Sequence, residues 1–303
     1  MTERSKPTVR LLITDLDNTL YDWVTFFAAA FYEMVKIASE LLNTPQEVLL
    51  DDLRAVHQRF HNSEHPYSLL ETRTVRQAHP DHSYAERADL LAPAFQRFTE
   101  VHNETLKLYP NVAPTLKRLY DLGVVIVGHT EATVPNALHR LKQLRIDQYL
   151  RRLYAVKPIG DSRPDPSKPS PLFETSLNVF YLNQDERKPD PRVLLDICRD
   201  EGISLNQALY VGDSIARDVG MAKTAGLWSA WAEYGTRYDR KLWERLVRVT
   251  HWTAEDVARA EAAEAKHHYV KPDVVLNQDF SEILDHFSFV GQERGGSDGS
   301  RGH

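Results

Sequence analysis

Two carboxylates stand two residues apart at the end of a short apolar run, where Val9, Leu11 and Ile13 lead into Asp15-Leu16-Asp17-Asn18-Thr19. The run has strand-forming character, and it empties abruptly into acid, amide and hydroxyl side chains. In an extended chain residues i and i+2 point to the same side, so Asp15 and Asp17 address one small volume past the strand end. Ligands of open α/β sheets bind at that end. Carboxylates aimed at one point repel, and they need a proton, a cation or solvent between them. Read alone, the pattern also fits an ordinary turn in which Asp15 caps and Asp17 faces water.

More of the chain supplies groups that such a crevice would use. Val124-Val125-Ile126-Val127 is a fully apolar strand ending at Gly128-His129-Thr130, which puts a hydroxyl at a second strand end. Ala208-Leu209-Tyr210-Val211 is another strand, and it empties into Gly212-Asp213 with Asp218 shortly beyond. Lys188-Pro189-Asp190-Pro191 opens a helix running to Glu201-Gly202. Lys157 and Lys168 also precede proline, but Lys188 alone leads into an amphipathic helix and then the Gly212-Asp213 strand. Asp218 fits equally well a first-turn helix acid favoured by the macrodipole, and His129 a packed strand-end histidine.

The elements that must position these groups alternate. Helices over 112–122 and 133–144, strands over 153–156, 227–232 and 272–276, and a last helix over 281–287 give the βαβ rhythm of a parallel sheet. Residues 22–108 break that rhythm with helical periodicity throughout. Phe27, Ala30, Phe31, Met34, Ile37, Ala38 and Leu41 form one apolar face, and a second helix opens at Thr44-Pro45-Gln46-Glu47 and runs to about Phe60. A third begins at Ser83, with Glu86 in capping-box position, and continues towards Leu106 with Pro93 as a kink. Arg54, His57, Arg59, His61, His65, Arg73 and Arg76 lie in this block, with Tyr67 among them. Any one of them suits a solvated helix face, and a subset turned to the carboxylates would attract an anionic substrate.

Prolines crowd residues 157–187, a lid, contact loop or excursion, while 236–268 reads as helical and the tail 291–303 as disordered. The totals are those of a soluble globular protein of 303 residues with a net charge of −6. Such a balance leaves no basic footprint for nucleic acid. Apolar runs fall far short of the roughly 20 residues of a spanning helix, so neither membrane insertion nor export is expected. Cys198 is the only cysteine and sits in a helical apolar pattern, which makes it a core residue and a cytoplasmic location natural.

Asp15-Leu16-Asp17-Asn18-Thr19, Thr130, Lys188 before Pro189, and Gly212-Asp213 with Asp218 together resemble the four motifs, in order, of the haloacid dehalogenase-like (HAD) hydrolase superfamily. The resemblance spans about Val9 to Phe287, and the helical block is similar to that superfamily's first cap type, as in phosphoglycolate phosphatase-like members. It implies an α/β fold, a Rossmann-like parallel sheet in a three-layer α/β/α core. Residues 1–21 and 109–290 would form that core, with insertions at 157–187 and 236–268, and 22–108 would form the cap.

By resemblance Asp15 is the nucleophile that becomes an aspartyl phosphate, and Asp17 protonates the leaving oxygen and then activates water. Asp15, Asp213 and the backbone carbonyl of Asp17 would hold Mg²⁺, with Asp218 orienting one of its waters. Thr130 would bind the phosphoryl group, Lys188 would balance charge, and Thr19, His129 and Glu131 are the remaining substrate-binding candidates. Glu131 departs from the usual Asn or Ser. The reading is a Mg²⁺-dependent phosphatase acting on a small cytoplasmic phosphate such as phosphoglycolate, a sugar phosphate or a nucleotide, with the two insertions open to contacts in a homo-oligomer. A 2-haloacid dehalogenase, which needs neither the metal nor an acid at Asp17, and a non-catalytic phosphate- or protein-binding descendant are the competing readings.

Overall fold

In the computed structural model, which describes residues 5–60, 62–64, 67–158, 177–183, 186–252 and 270–291, the apolar run before the carboxylates is a central strand. After the two-residue β1 (Thr8–Val9), β2 (Leu11–Thr14) is buried at every position. Its side chains alternate between two apolar layers, Leu12 entering one and Leu11 and Ile13 the other. A strand covered on both faces requires this continuous apolar composition.

The helical block intervenes before the next strand. It comprises α1 (Trp23–Leu41), α2 (Gln46–Phe60), α3 (Arg73–Ala78), α4 (Tyr84–Leu90) and α5 (Ala92–Thr105), with α1 and α5 packed together. Asp22 caps α1 by accepting the Thr25 N–H. The expected capping box closes between Ser83 and Glu86, but the helix it starts stops at Leu91. Pro93 is accommodated in the first turn of a new helix, where its missing N–H costs nothing, instead of kinking a single one.

The chain then builds the sheet with α6 (Val112–Asp121), β3 (Val125–Thr133), α7 (Val134–Gln143), β4 (Arg152–Val156) and β5 (Asn178–Leu182) on one side of β2. It returns through α8 (Arg192–Glu201), β6 (Ala208–Gly212), α9 (Gly220–Ala225), β7 (Trp228–Ala232), α10 (Arg240–Val249) and β8 (Val274–Leu276) on the other. Among the described residues this sheet has seven strands, all parallel, in the order β5-β4-β3-β2-β6-β7-β8, and a separate short pair joins β1 to β9 (Ser288–Phe289). Apolar residues of α6 and α7 cover one face and those of α8 and α9 the other, which makes the three layers expected of the α/β core. The strand order reverses at β2, so the crevice between the carboxyl ends of β3, β2 and β6 is the natural ligand site.

Several sequence expectations are amended. β3 continues past Thr130 to Thr133, with a register shift against β4 between His129 and Thr133. Such an irregularity re-aims side chains at a strand's functional end. The proline-rich 157–187 stretch contains edge strand β5, whose Phe180 and Tyr181 stay exposed and so gave no buried pattern; 159–176 and 184–185 lie outside the described residues. Of the helical 236–268 segment, α10 is described and 253–269 is not, and the expectation for the tail likewise falls on 292–303, outside the described residues. α10 packs on α1 and α2, with His57 Nδ1 at 2.6 Å from the Val249 carbonyl and Arg248 at 2.6 Å from Asp51. Cys198 is buried in the α8 core, and burial pushes its thiol up to about 11. Among the described residues no helix is long and apolar enough to cross a membrane.

Candidate active site

The sheet holds the first carboxylate directly, because the Asp15 N–H still donates to the Val211 carbonyl of β6 at 2.9 Å. The chain then turns sharply through Asn18, which takes a left-handed φ of 55°, a conformation asparagine tolerates better than most residues. Lys188, preceding a cis bond to Pro189, inserts its ammonium between two acids, 2.5 Å from Asp15 Oδ1 and 2.8 Å from Asp218 Oδ1. Asp218 comes back to this point on a π-helical turn, Ile215–Val219, and accepts the Ser214 N–H at 2.9 Å and the Tyr210 hydroxyl at 3.2 Å. Residue 212 must be glycine for this return, since a Cβ there would lie 2.4 Å from Asp218 Cγ.

Asp15, Asp213 and Asp218 consequently each offer an oxygen within 4.8 Å of the others. Burial, with the neighbouring acids adding to it, raises the carboxyl of Asp15 well above its usual range and pushes Asp213 up to about 7. Asp218 is held below the usual carboxylate range despite its burial, because Lys188 and Arg217 face it. Asp15, Asp213, Asp218 and Glu131 against Lys188 and Arg217 leave an excess of two negative charges when all are ionised. An all-oxygen set with that excess suits a hard divalent cation such as Mg²⁺.

Asp17 takes a different partner. Its Oδ1 accepts from Arg140 Nη1 of α7 at 2.8 Å, while Arg140 Nη2 pairs with Glu64 of the helical block. Glu64 also accepts from the Trp23 indole at 2.5 Å and from Asn136 Nδ2 at 2.9 Å. One buried guanidinium thus spans the second acid of the loop and the roof above it. Burial keeps the Asp17 carboxyl raised although Arg140 opposes the shift. Its carboxylate is not among the clustered metal-ligand atoms, so a share of Asp17 in a cation site is left to its main chain.

A cavity of about 1120 Å³ opens over these groups, and Asp15, Asp17, Thr130, Glu131, Lys188 and Asp213 line it. The Thr130 hydroxyl accepts from the Ala132 N–H at 3.1 Å, and Glu131 is paired at 2.9 Å with Arg217. Two expected substrate contacts are corrected. Thr19 is fully buried behind the loop, its hydroxyl 3.5 Å from Asp15 Oδ2, and it is absent from the cavity wall. His129 points into the core beside Tyr210, 3.3 Å from its hydroxyl, and burial pushes its imidazole down to about 3. The strand's pleat sends it away from the cavity that Thr130 faces.

Nor do the block's cations turn to the carboxylates. Arg59 and Arg76 pair with Glu71, Arg73 with Asp52, and His57 is buried under α10. Neither they nor Arg54 line the cavity, and His61 and His65 lie outside the described residues.

Besides Arg140 and Glu64, sequence reasoning missed the short turn Glu233–Thr236 beyond β7, which buttresses the carboxylate loop. The Tyr234 hydroxyl donates to the Thr19 carbonyl at 2.6 Å and the Trp231 indole to the Asp213 carbonyl at 2.8 Å. Gly235 presses so closely that a Cβ would fall 1.7 Å from the Asn18 carbonyl oxygen. Backbone cannot yield as a side-chain tip can, so Gly235→Ala is expected to destabilise by about 3 kcal/mol. Urea unfolding checks this, and a loss below about 0.5 kcal/mol would show that the loop is free to move.

Fold and site together define a three-layer α/β protein whose candidate working groups sit at the reversal point of a parallel sheet under a helical roof. The family model described as haloacid dehalogenase-like hydrolase matches residues 9–226, and a second, related one matches 186–277. The chain belongs to the haloacid dehalogenase-like hydrolase family. It is 30% identical over 237 residues to a phosphoglycolate phosphatase of Pseudomonas putida, covering 77% of this chain and 72% of that protein. It is also 23% identical over 224 residues to a glyceraldehyde 3-phosphate phosphatase of Methanopyrus kandleri, covering 72% and 82% respectively. Among solved structures, the 2-haloacid dehalogenase of Pseudomonas syringae shares the fold, with a TM-score of 0.52 and 18% identity over 92% of this chain and 97% of that one.

Proposed function

We propose that this hydrolase is a Mg²⁺-dependent phosphatase that cleaves a phosphomonoester through an aspartyl-phosphate intermediate. The observation that carries the reading is the convergence of Asp15, Asp213 and Asp218 on one point beside Lys188, with Asp17 in the same cavity. The phosphatase names of two relatives support it. A dehalogenase acting on carbon has no use for a dication-sized acid cluster or for Asp17.

An Asp15 oxygen attacks phosphorus, and the bond from phosphorus to the leaving oxygen breaks. The raised Asp17 carboxyl gives that oxygen its proton, so the alcohol leaves neutral. The Asp17 carboxylate then takes a proton from water as the water attacks phosphorus, which frees Asp15 and inorganic phosphate. Lys188 offsets the like charges of Asp15 and the phosphoryl group, and Thr130 offers its hydroxyl to the phosphoryl oxygens. Asp15, Asp213 and the Asp17 carbonyl would hold Mg²⁺, with Asp218 fixing the Asp213 loop, and the ion would neutralise the charge of the transferring group. The helical block acts as the cap, and the single cysteine favours a cytoplasmic setting.

Chelation with EDTA is expected to lower turnover of an aryl phosphate by at least about 100-fold, and added Mg²⁺ to restore it. Undiminished turnover in EDTA contradicts the metal assignment. A proton on Asp213, held until about pH 7, competes with the cation. Calorimetric titration should therefore find Mg²⁺ binding tightening as pH rises from about 5 to about 8. Binding that is flat over this range would place the ion elsewhere.

A further inference from the structure

The wall of the cavity above the carboxylates is out of keeping with a small, doubly anionic substrate. At about 1120 Å³, and open on one side, it has room for an organic group of the size that pockets of roughly 300–1,000 Å³ enclose. Trp23, Phe60, Tyr67, Phe95, Phe98 and Trp243 line it, all only partly buried by their protein neighbours and so presenting ring surface to the space. Among the described residues the helical block contributes no lysine or arginine to this wall. Its His102 imidazole is pushed down to about 4 by burial, and its one acid, Glu64, is bound to Arg140. Among the described residues the lysines and arginines of the lining come from the sheet side. Arg140, Lys188 and Arg217 each already face an acid, and Arg187 adjoins Lys188 in the chain.

We propose that the phosphomonoester cleaved here carries a bulky, uncharged, largely apolar organic group, which fills the aromatic space under the helical block while its phosphate meets Asp15. The inference rests on the phosphatase reading. A glycolate leaving group would bring a carboxylate against rings that, among the described residues of the helical block, carry no lysine or arginine to receive it, and burying an unpaired charge is costly. It would also leave most of the volume to water against apolar surface. A ring-bearing alcohol instead removes that surface from water, and its neutral departure demands nothing of the wall beyond the proton from Asp17.

The test compares kcat/KM, in Mg²⁺, for 1-naphthyl phosphate and phosphoglycolate in the full chain and in Phe95→Ala and Phe98→Ala. The naphthyl ester, whose aryl oxygen is also the better leaving group, is expected to be preferred by at least about 100-fold, with a KM at least about tenfold lower as the part that its buried ring area supplies. Each substitution should raise its KM about five- to tenfold while moving that for phosphoglycolate by less than about twofold. Equal or better use of phosphoglycolate by an active enzyme overturns the inference and leaves the phosphatase reading standing. If neither ester is hydrolysed the phosphatase reading fails, and calorimetry with the unreactive 1-naphthylphosphonate then decides the ligand class. Binding that Phe95→Ala weakens about tenfold supports it, and no binding overturns it.

Discussion

Asp15→Asn is expected to lower kcat on an aryl phosphate by at least about 10⁴-fold, the loss that follows when a nucleophile is removed from a site whose other groups act through it. The amide has the carboxylate's shape but does not attack phosphorus. The fold should survive, because Asp15 is buried with its carboxyl pushed well above the usual range, chiefly by desolvation. Without the metal, a raised folded-state value means that ionising Asp15 costs the fold stability, whereas a bound dication would favour the carboxylate that attacks. Ionisation of Asp15 therefore erodes stability as pH rises above the unfolded value, and a neutral amide escapes that loss. Lys188 keeps its contact with Asp218 at 2.8 Å. Thermal unfolding without metal at pH 8 should thus put the variant at or above the parent. Turnover within tenfold of the parent would exclude Asp15 as the attacking group.

Arg140→Met is expected to cost about 3–5 kcal/mol of stability, the range found when one member of a buried ionic network is removed. Arg140 has 4% of its side chain exposed and serves Asp17 and Glu64 at once. Its guanidinium also lies 5.0 Å from the centre of the Phe26 ring. Methionine keeps the stem's volume and strands two acids in the interior. Arg140→Lys keeps the charge but not the planar fork that reaches two partners, so it should recover about half of the loss. Because Asp17 loses its orienting partner, kcat should fall about 10–100-fold in Arg140→Met with little change in KM. Chemical denaturation and steady-state kinetics measure both effects. A stability change under about 1 kcal/mol would mean that Asp17 and Glu64 find water instead.

The parts of this site that the sequence made legible are those fixed by local rules. An apolar strand that must end in polar residues announces its own carboxyl end, which located Asp15 and Asp213, whereas Thr130 lies inside β3, which runs on to Thr133. Helical periodicity located α1 and α2, and the capping box located the start of α4. The residues that were missed are positioned by tertiary contact alone. Nothing around Glu64 marks it as the partner of an arginine 76 residues away, and Gly235 is an ordinary turn glycine until its closeness to Asn18 is seen. Tyr234 likewise looks like any core tyrosine. The face chosen by the pleat also decides function, since His129 and Thr130 are neighbours in sequence and part company at the sheet. Which of the block's cations turn to the carboxylates was open in the sequence, because the partners of Arg59, Arg73 and Arg76, Glu71 and Asp52, are fixed by tertiary contact within the block.

Mass analysis of acid-quenched enzyme during turnover of an aryl phosphate with Mg²⁺ tests the chemistry most directly. The peptide containing Asp15 should carry one acid-stable, hydroxylamine-labile phosphoryl group, which Asp15→Asn lacks. Steady release of phosphate with that peptide never modified, or the same modification in Asp15→Asn, would contradict the account.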